Sequence, residues 1–197
     1  MIERTVRLQR GFTLIEMAVV VLILGVLIAF ATPKFTSAMR EYRVSMASRQ
    51  LTDLIQRAKT QAVSDNRKVV VRVDTAGNRA GLVVYDSAGV ELRTEYVNLP
   101  RGVIFTRPAN VTAPMTGAPI AASVSFPAKV GSTTVFEQEF NSRGFPVVTT
   151  PATINALYVG TGTGTDTVFR ALTLTSVGGI RSWKWSSTLW TNTRTAQ

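Results

Sequence analysis

Glu16 is a lone carboxylate inside a run of twenty residues, Phe12–Ala31, that are otherwise apolar or small apart from Thr13. At about 1.5 Å rise per residue, a helix of that length crosses a hydrocarbon core about 30 Å thick. An unpartnered charge there is unfavourable by roughly 2.5–3.5 kcal/mol on insertion scales for comparable side chains, so Glu16 calls for a cation. A cut between Gly11 and Phe12 would supply one. The new α-amino group at Phe12 lies one helical turn before Glu16, and the two ends become a cation and an anion in low dielectric. Gly11 is small and flexible enough to be threaded extended into a protease. A glutamate in the first turn also suits the positive end of the helix dipole. Arg4, Arg7 and Arg10, diluted by Glu3, precede the run and keep that side cytoplasmic.

Little other chemistry is on offer. The 197 residues contain no His and no Cys, which excludes imidazole bases, His-based triads, thiol chemistry, disulfides and most zinc sites. Glu91 with Glu95 and Glu137 with Glu139 could pair on strands, but no cleft signal accompanies them and they read as solvated surface. Gly160–Gly164 alternates with Thr and lacks a Lys, so it reads as a loop tip rather than a phosphate cradle. No enzyme and no cofactor are expected. The net charge is +10, of which the first eleven residues hold +2, and 17 arginines stand against 5 lysines. That excess points to lipid headgroups, cell-wall polymers or DNA, or to a plain solvated basic surface.

The elements that position Glu16 follow from periodicity. Pro33, just past the apolar run, predicts a kink or short break near residues 29–33. Beyond it Phe35, Met39, Tyr42, Met46, Leu51, Leu54, Ile55, Ala58 and Ala62 recur three or four apart among polar residues, the pattern of an amphipathic helix ending near Ser64–Asn66. The whole helix, about 50 residues and roughly 75 Å, can pack only its distal half on a head. Its proximal stripe is left for other subunits. From Lys68 the period is two. Strands are expected at 68–74, 82–85, 90–97, 103–106, 124–126, 135–140, 154–159, 168–175 and 180–185. Gly178-Gly179 reads as a two-residue hairpin turn and the tail after Ser186 as loose. The expected fold is α+β, a long N-terminal transmembrane and amphipathic helix packed on one face of an antiparallel β-sheet head. Its parts are a leader (1–11), an anchor (12–31), a helical continuation (32–66) and a head (67–197) with a Pro-rich loop at 107–123.

The run Arg10-Gly11-Phe12-Thr13-Leu14-Ile15-Glu16 closely resembles the class III signal of type IV prepilins and type II secretion pseudopilins. The resemblance implies cleavage after Gly11, methylation of the Phe12 amine, and Glu16 pairing with the N-terminus of a neighbouring subunit. Phe140-Asn141-Ser142-Arg143-Gly144-Phe145-Pro146 and Leu172–Arg181 resemble two head motifs of the GspH/FimT group of minor pseudopilins and pilins. Membership implies a minor subunit of a type II secretion fibre, or alternatively a type IV pilus minor pilin for DNA uptake. It is expected in a bacterial inner membrane as a single-pass protein with its head in the periplasm or outside. Other pilin or pseudopilin subunits, a prepilin peptidase, an inner-membrane assembly platform and membrane lipid are the implied partners. Calcium, held near the C-terminus by some major pseudopilins, would need clustered acids there, and Asp166 stands alone.

Two rival readings remain. Ala29-Phe30-Ala31 could be an ordinary signal-peptidase site releasing a secreted binding domain, although the apolar run is long and contains an acid. DNA contact is the second. Some members of the group bind DNA through a Gly-Arg-x-Arg stretch; here Gly179 replaces its first arginine and Arg181 remains. Arg181, Trp183, Lys184, Trp185 and Trp190 interleave cations with aromatics as single-strand binders do. The preferred alternative is that Trp183 and Trp185 share a strand face and plug the sheet–helix core.

Overall fold

A computed structural model of the chain describes residues 13–108, 111–115, 122–147, 155–162, 167–186 and 189–193. Among the described residues one helix precedes nine strands. The helix α1 spans Leu14–Ser64, and the strands are β1 Val69–Asp74, β2 Arg79–Tyr85, β3 Glu91–Asn98, β4 Ile104–Phe105, β5 Val135–Phe140, β6 Asn155–Gly160, β7 Phe169–Leu174, β8 Ile180–Ser186 and β9 Leu189–Thr193. The α+β class holds. The chain divides into two compact units, one ending at Met39 and the other beginning at Arg40.

In the second unit, Val44, Ala47, Leu51, Leu54, Ile55, Ala58 and Ala62 of α1 are buried at three- and four-residue spacing. Burial of each Leu or Ile is worth about 1.5–3 kcal/mol. They pack on alternate residues of the strands: Val69, Val71 and Val73 of β1, Leu82 and Val84 of β2, Leu157 and Val159 of β6, Leu172 and Leu174 of β7. The helix ends where Asn66 turns left-handed at φ 50° and the Arg67 N–H reaches back to the Ala62 carbonyl at 3.2 Å.

The strands differ from expectation in four respects. They form two antiparallel sheets, ordered β3-β2-β1-β5 and β4-β6-β7-β8-β9, rather than one. A buried amide pair joins them: Asn155 Nδ2 donates to Gln138 Oε1 at 2.5 Å. Residues 124–126 contribute an isolated bridge, Val124 to Leu157, and no strand. The segment after Ser186, expected to be loose, adds β9, paired to β8 through Trp185↔Trp190 and Trp183↔Asn192. Gly178-Gly179 is not a two-residue turn but the end of a five-residue loop, 175–179. The Gly178 N–H donates to the Thr175 carbonyl and the Gly179 N–H to Thr175 Oγ1. The threonine side chain closes the larger loop.

Gly144 and Gly178, one from each head motif, meet on the distal end of α1. Lys59 Nζ donates to the Gly178 carbonyl at 2.6 Å. Gly144 has φ +76°, and a Cβ there would lie 3.0 Å from Val63 Cγ2 and 3.4 Å from the Lys59 carbonyl oxygen. The two motifs clasp the helix to the sheets. Gly144→Ala is expected to lower stability by about 2 kcal/mol in urea denaturation of the detergent-solubilised chain. Gly89→Ala is expected to lower it by about 1 kcal/mol, since Gly89 shares the positive φ but has no neighbour in reach.

Candidate functional site

The first unit carries the expected assembly residues. Thr13 starts α1 as its N-cap: its hydroxyl accepts the Glu16 N–H at 3.3 Å, and the Met17 N–H reaches the Thr13 carbonyl at 3.2 Å. Thr13-x-x-Glu16 is thus one half of a capping box, so local hydrogen bonding alone places the carboxylate at the third helical position. From Leu14 (89% exposed) to Phe30 (75% exposed) every large apolar side chain of the helix lies bare, an uncovered apolar surface of a kind soluble proteins do not keep. The segment is long and apolar enough to cross a membrane and fits a single-pass anchor. Gly11 and Phe12 lie outside the described residues. Pro33 lies within α1, which continues through it unbroken. A short break is therefore absent there, while a bend remains an expectation. Thr32 Oγ1 bonds the Ile28 carbonyl at 2.8 Å in the same turn.

The structure does not gather the expected DNA-binding residues. Strand alternation turns Ile180, Ser182 and Lys184 of β8 toward α1, where Ser182 Oγ meets Ser48 Oγ at 3.1 Å and Lys184 Nζ pairs with Glu41. Arg181, Trp183 and Trp185 face away from it. Lys184 is thus on the opposite sheet face from Arg181 and Trp183, and its charge is occupied. The tryptophans do not plug the sheet–helix core, which corrects that expectation. Trp183 and Trp190 pack on Ala156, Tyr158 and Ala171 on the outer face of the second sheet. Trp183 Nε1 donates to Thr173 Oγ1 at 3.0 Å, Trp190 Nε1 to the Thr112 carbonyl at 2.8 Å, and the Trp185 and Trp190 rings lie 5.2 Å apart. Burial beneath them pushes the Tyr158 phenol up to about 12.

One constellation went unrecognised in the sequence. Glu91 and Glu137, expected on solvated strand faces, converge on Arg72, whose side chain is 7% exposed. Arg72 Nε donates to Glu137 Oε1 at 2.6 Å, Nη1 to Glu91 Oε2 at 3.2 Å and Nη2 to the Tyr85 hydroxyl at 3.0 Å, with a further Nη2 bond to Glu91 Oε1. Lys129 Nζ stands 3.6 Å from Glu91 and 3.9 Å from Glu137. An arginine amid the valines of β1 was the available signal: β1 is paired on both sides, and a cation there must find acids on its neighbours. All five groups are engaged with one another, so the cluster is a clamp between strands rather than a catalytic centre. Among the described residues no group of three or more metal-ligating side chains gathers.

The Arg72 guanidinium holds the Glu91 carboxyl at about 2, below its ordinary 4.5. Between those values the unfolded chain binds the proton and the folded chain does not. The stabilisation from Glu91 is therefore complete above pH 4.5 and is lost as the pH falls through about 2. Denaturation midpoints taken across that window should fall more steeply for the native chain than for Glu91→Gln.

Comparison with known proteins agrees with this geometry at the N-terminus. Residues 6–32 match the family described as the prokaryotic N-terminal methylation motif. The chain carries that motif. It spans Phe12, the capped turn and Glu16, and it ends at Thr32, one residue past the apolar run. No curated protein matches the chain. Among solved structures the chain is similar to the type IV minor pilin FimU of Pseudomonas aeruginosa, at 18% identity and a TM-score of 0.45, over 70% of this chain and 85% of that one.

Proposed function

We propose that this chain is a minor subunit of a prepilin-type fibre, cleaved after Gly11, methylated at Phe12 and built into a helical bundle through residues 12–31. The observation that carries the reading is the methylation motif coinciding with a capped, wholly uncovered apolar helix whose single acid is held in its first turn. An apolar rod of this kind is covered either by lipid or by copies of itself. Leaving the bilayer for the bundle is feasible for the Glu16 carboxylate if a neighbour's Phe12 amine neutralises it. A prepilin peptidase would create that amine on the cytoplasmic side of the inner membrane. An assembly platform would then draw the subunit out with its head on the far side. The head's strands supply packing and display, with no reaction assigned to them. The supporting features are common to type II secretion pseudopilins, our first assignment, and type IV pilus minor pilins.

Mass analysis of the membrane-bound protein should give a chain starting at methylated Phe12. Gly11→Val, which places a branched side chain at the scissile bond, should abolish that product. A soluble chain starting at Thr32 would establish instead a secreted domain released by signal peptidase. Complementation of deletion strains for secretion and for pilus-dependent motility separates the two fibre types.

A further inference from the structure

The second unit begins with unspent positive charge. Arg40 and Arg43, one turn apart on α1, are exposed on the same helical face. The Arg43 guanidinium reaches to 4.0 Å from where a Cβ on Gly102 would stand, which brings it beside exposed Arg101 in the loop between β3 and β4. Among the described residues none of the three meets a carboxylate within ion-pair distance. Glu41, next to Arg40 in the chain, is taken by Lys184. Arg170, beneath Lys184 on β7, adds a further cation facing Glu41. Exposed Tyr42 adjoins Arg43 on α1, and exposed Ile104 follows Arg101 by three residues.

Such a gathering of like charges repels itself unless an anion covers it. Two features select the anion. The cations share this end of the head with exposed aromatic and aliphatic side chains, the composition found at bilayer interfaces. Arg40 also follows Ala31, the last residue of the apolar run, by only nine residues, a tether of at most about 32 Å in any conformation. A tether that short keeps the guanidinium within reach of the headgroup zone. We infer that Arg40, Arg43 and Arg101 form a docking face for an anionic phospholipid surface, which holds the head down on the bilayer before the subunit is extracted. The inference rests on the reading of residues 12–31 as a membrane anchor. It assigns to the head a lipid contact separate from that anchor.

The three tryptophans of the chain all lie in β8 and β9, and Trp185 and Trp190 flank Lys184 at the same end. Their rings lie on the outer face of the second sheet, at the same end of the head as Lys184, so their fluorescence reports the approach of that end to a lipid surface. The full chain is reconstituted into vesicles of phosphatidylcholine alone, or with about 30% phosphatidylglycerol, each with a trace of lipid nitroxide-labelled at the headgroup. Quenching should rise about twofold with the anionic lipid and return to the phosphatidylcholine level in ~0.5 M salt. Arg40→Gln with Arg43→Gln and Arg101→Gln should abolish the rise without moving the denaturation midpoint. Removing three charges at the opposite end, Arg67→Gln with Arg143→Gln and Arg181→Gln, should leave the rise in place. Equal quenching in both lipids, or a rise that survives in the first variant, overturns the docking face while leaving the anchor intact. Failure of the chain to co-float with either vesicle overturns both readings. Lipid-independent quenching with oligonucleotide bound through the same three arginines assigns the face to nucleic acid and overturns lipid docking.

Discussion

Glu16→Gln is expected to leave the chain inserted in the membrane and correctly processed but to lower its recovery in sheared fibres roughly hundredfold, equivalent to about 3 kcal/mol. The amide keeps the size and the helical position of the glutamate, and the Thr13 cap does not depend on its charge because the bond is donated by the Glu16 backbone N–H. Insertion itself should become easier, since the neutral side chain removes an intramembrane charge. What is lost is the anion that a neighbour's Phe12 amine would face. Two unit charges 4 Å apart at an effective dielectric of 20 attract by about 4 kcal/mol before desolvation is subtracted. Removing one member leaves the other buried and uncompensated, which is the larger part of the penalty. Glu16→Asp keeps the charge on a shorter stem and should restore part of the incorporation. Quantitative blotting of the sheared and cell-bound fractions measures both. Recovery of the glutamine variant at the native level would remove the basis of the fibre-subunit reading.

The second large effect is in the head. Arg72→Ala is expected to destabilise the fold by about 3 kcal/mol, a large share of the roughly 5–15 kcal/mol that a domain possesses. The substitution deletes the donor of every Arg72 bond to Glu91, Glu137 and Tyr85. It leaves two carboxylates near one another with Lys129 as the cation closest to both. The partners are partly solvated, which keeps the estimate at the low end for a broken buried pair. Lys68→Ala breaks the exposed Lys68–Glu139 bridge and should cost less than about 0.5 kcal/mol. Denaturant midpoints of the two variants test the contrast. A combined Arg72→Met, Glu91→Gln, Glu137→Gln variant should recover much of the loss, because no charge is then stranded.

Properties that depend on near neighbours in the chain were readable from the sequence. The length of α1 and its end near Ser64–Asn66, the bare proximal stripe of Phe35, Met39, Tyr42 and Met46, and the buried distal stripe from Leu51 to Ala62 all follow from three- and four-residue spacing. Val69, Val71 and Val73 declare a strand by alternation, and the seven residues Arg10–Glu16 lie within the N-terminal methylation motif. The errors fall where one strand must be matched to another. The alternation of β8 shows that Ser182 and Lys184 share a face and that Trp183 and Trp185 share the other, but not which face meets the helix. Hydrophobicity suggested the tryptophans, whereas Lys184 pairs with Glu41 and Ser182 shares a hydrogen bond with Ser48 on α1. The strand character of Leu189–Thr193 comes from pairing with β8, which its Thr-rich composition does not advertise.

The sequence by itself determined the apolar run, its single acid, the helix that continues from it and the antiparallel class of the head, because each is fixed by periodicity or by a contiguous motif. Only the tertiary structure decided that the strands divide into two sheets, that Glu91 and Glu137 converge on Arg72, that Gly144 and Gly178 clasp Lys59 and Val63, and that Arg43 stands beside Arg101. Those contacts join residues that are distant in sequence. They are selected by register and by the burial of charge, which local spacing cannot encode.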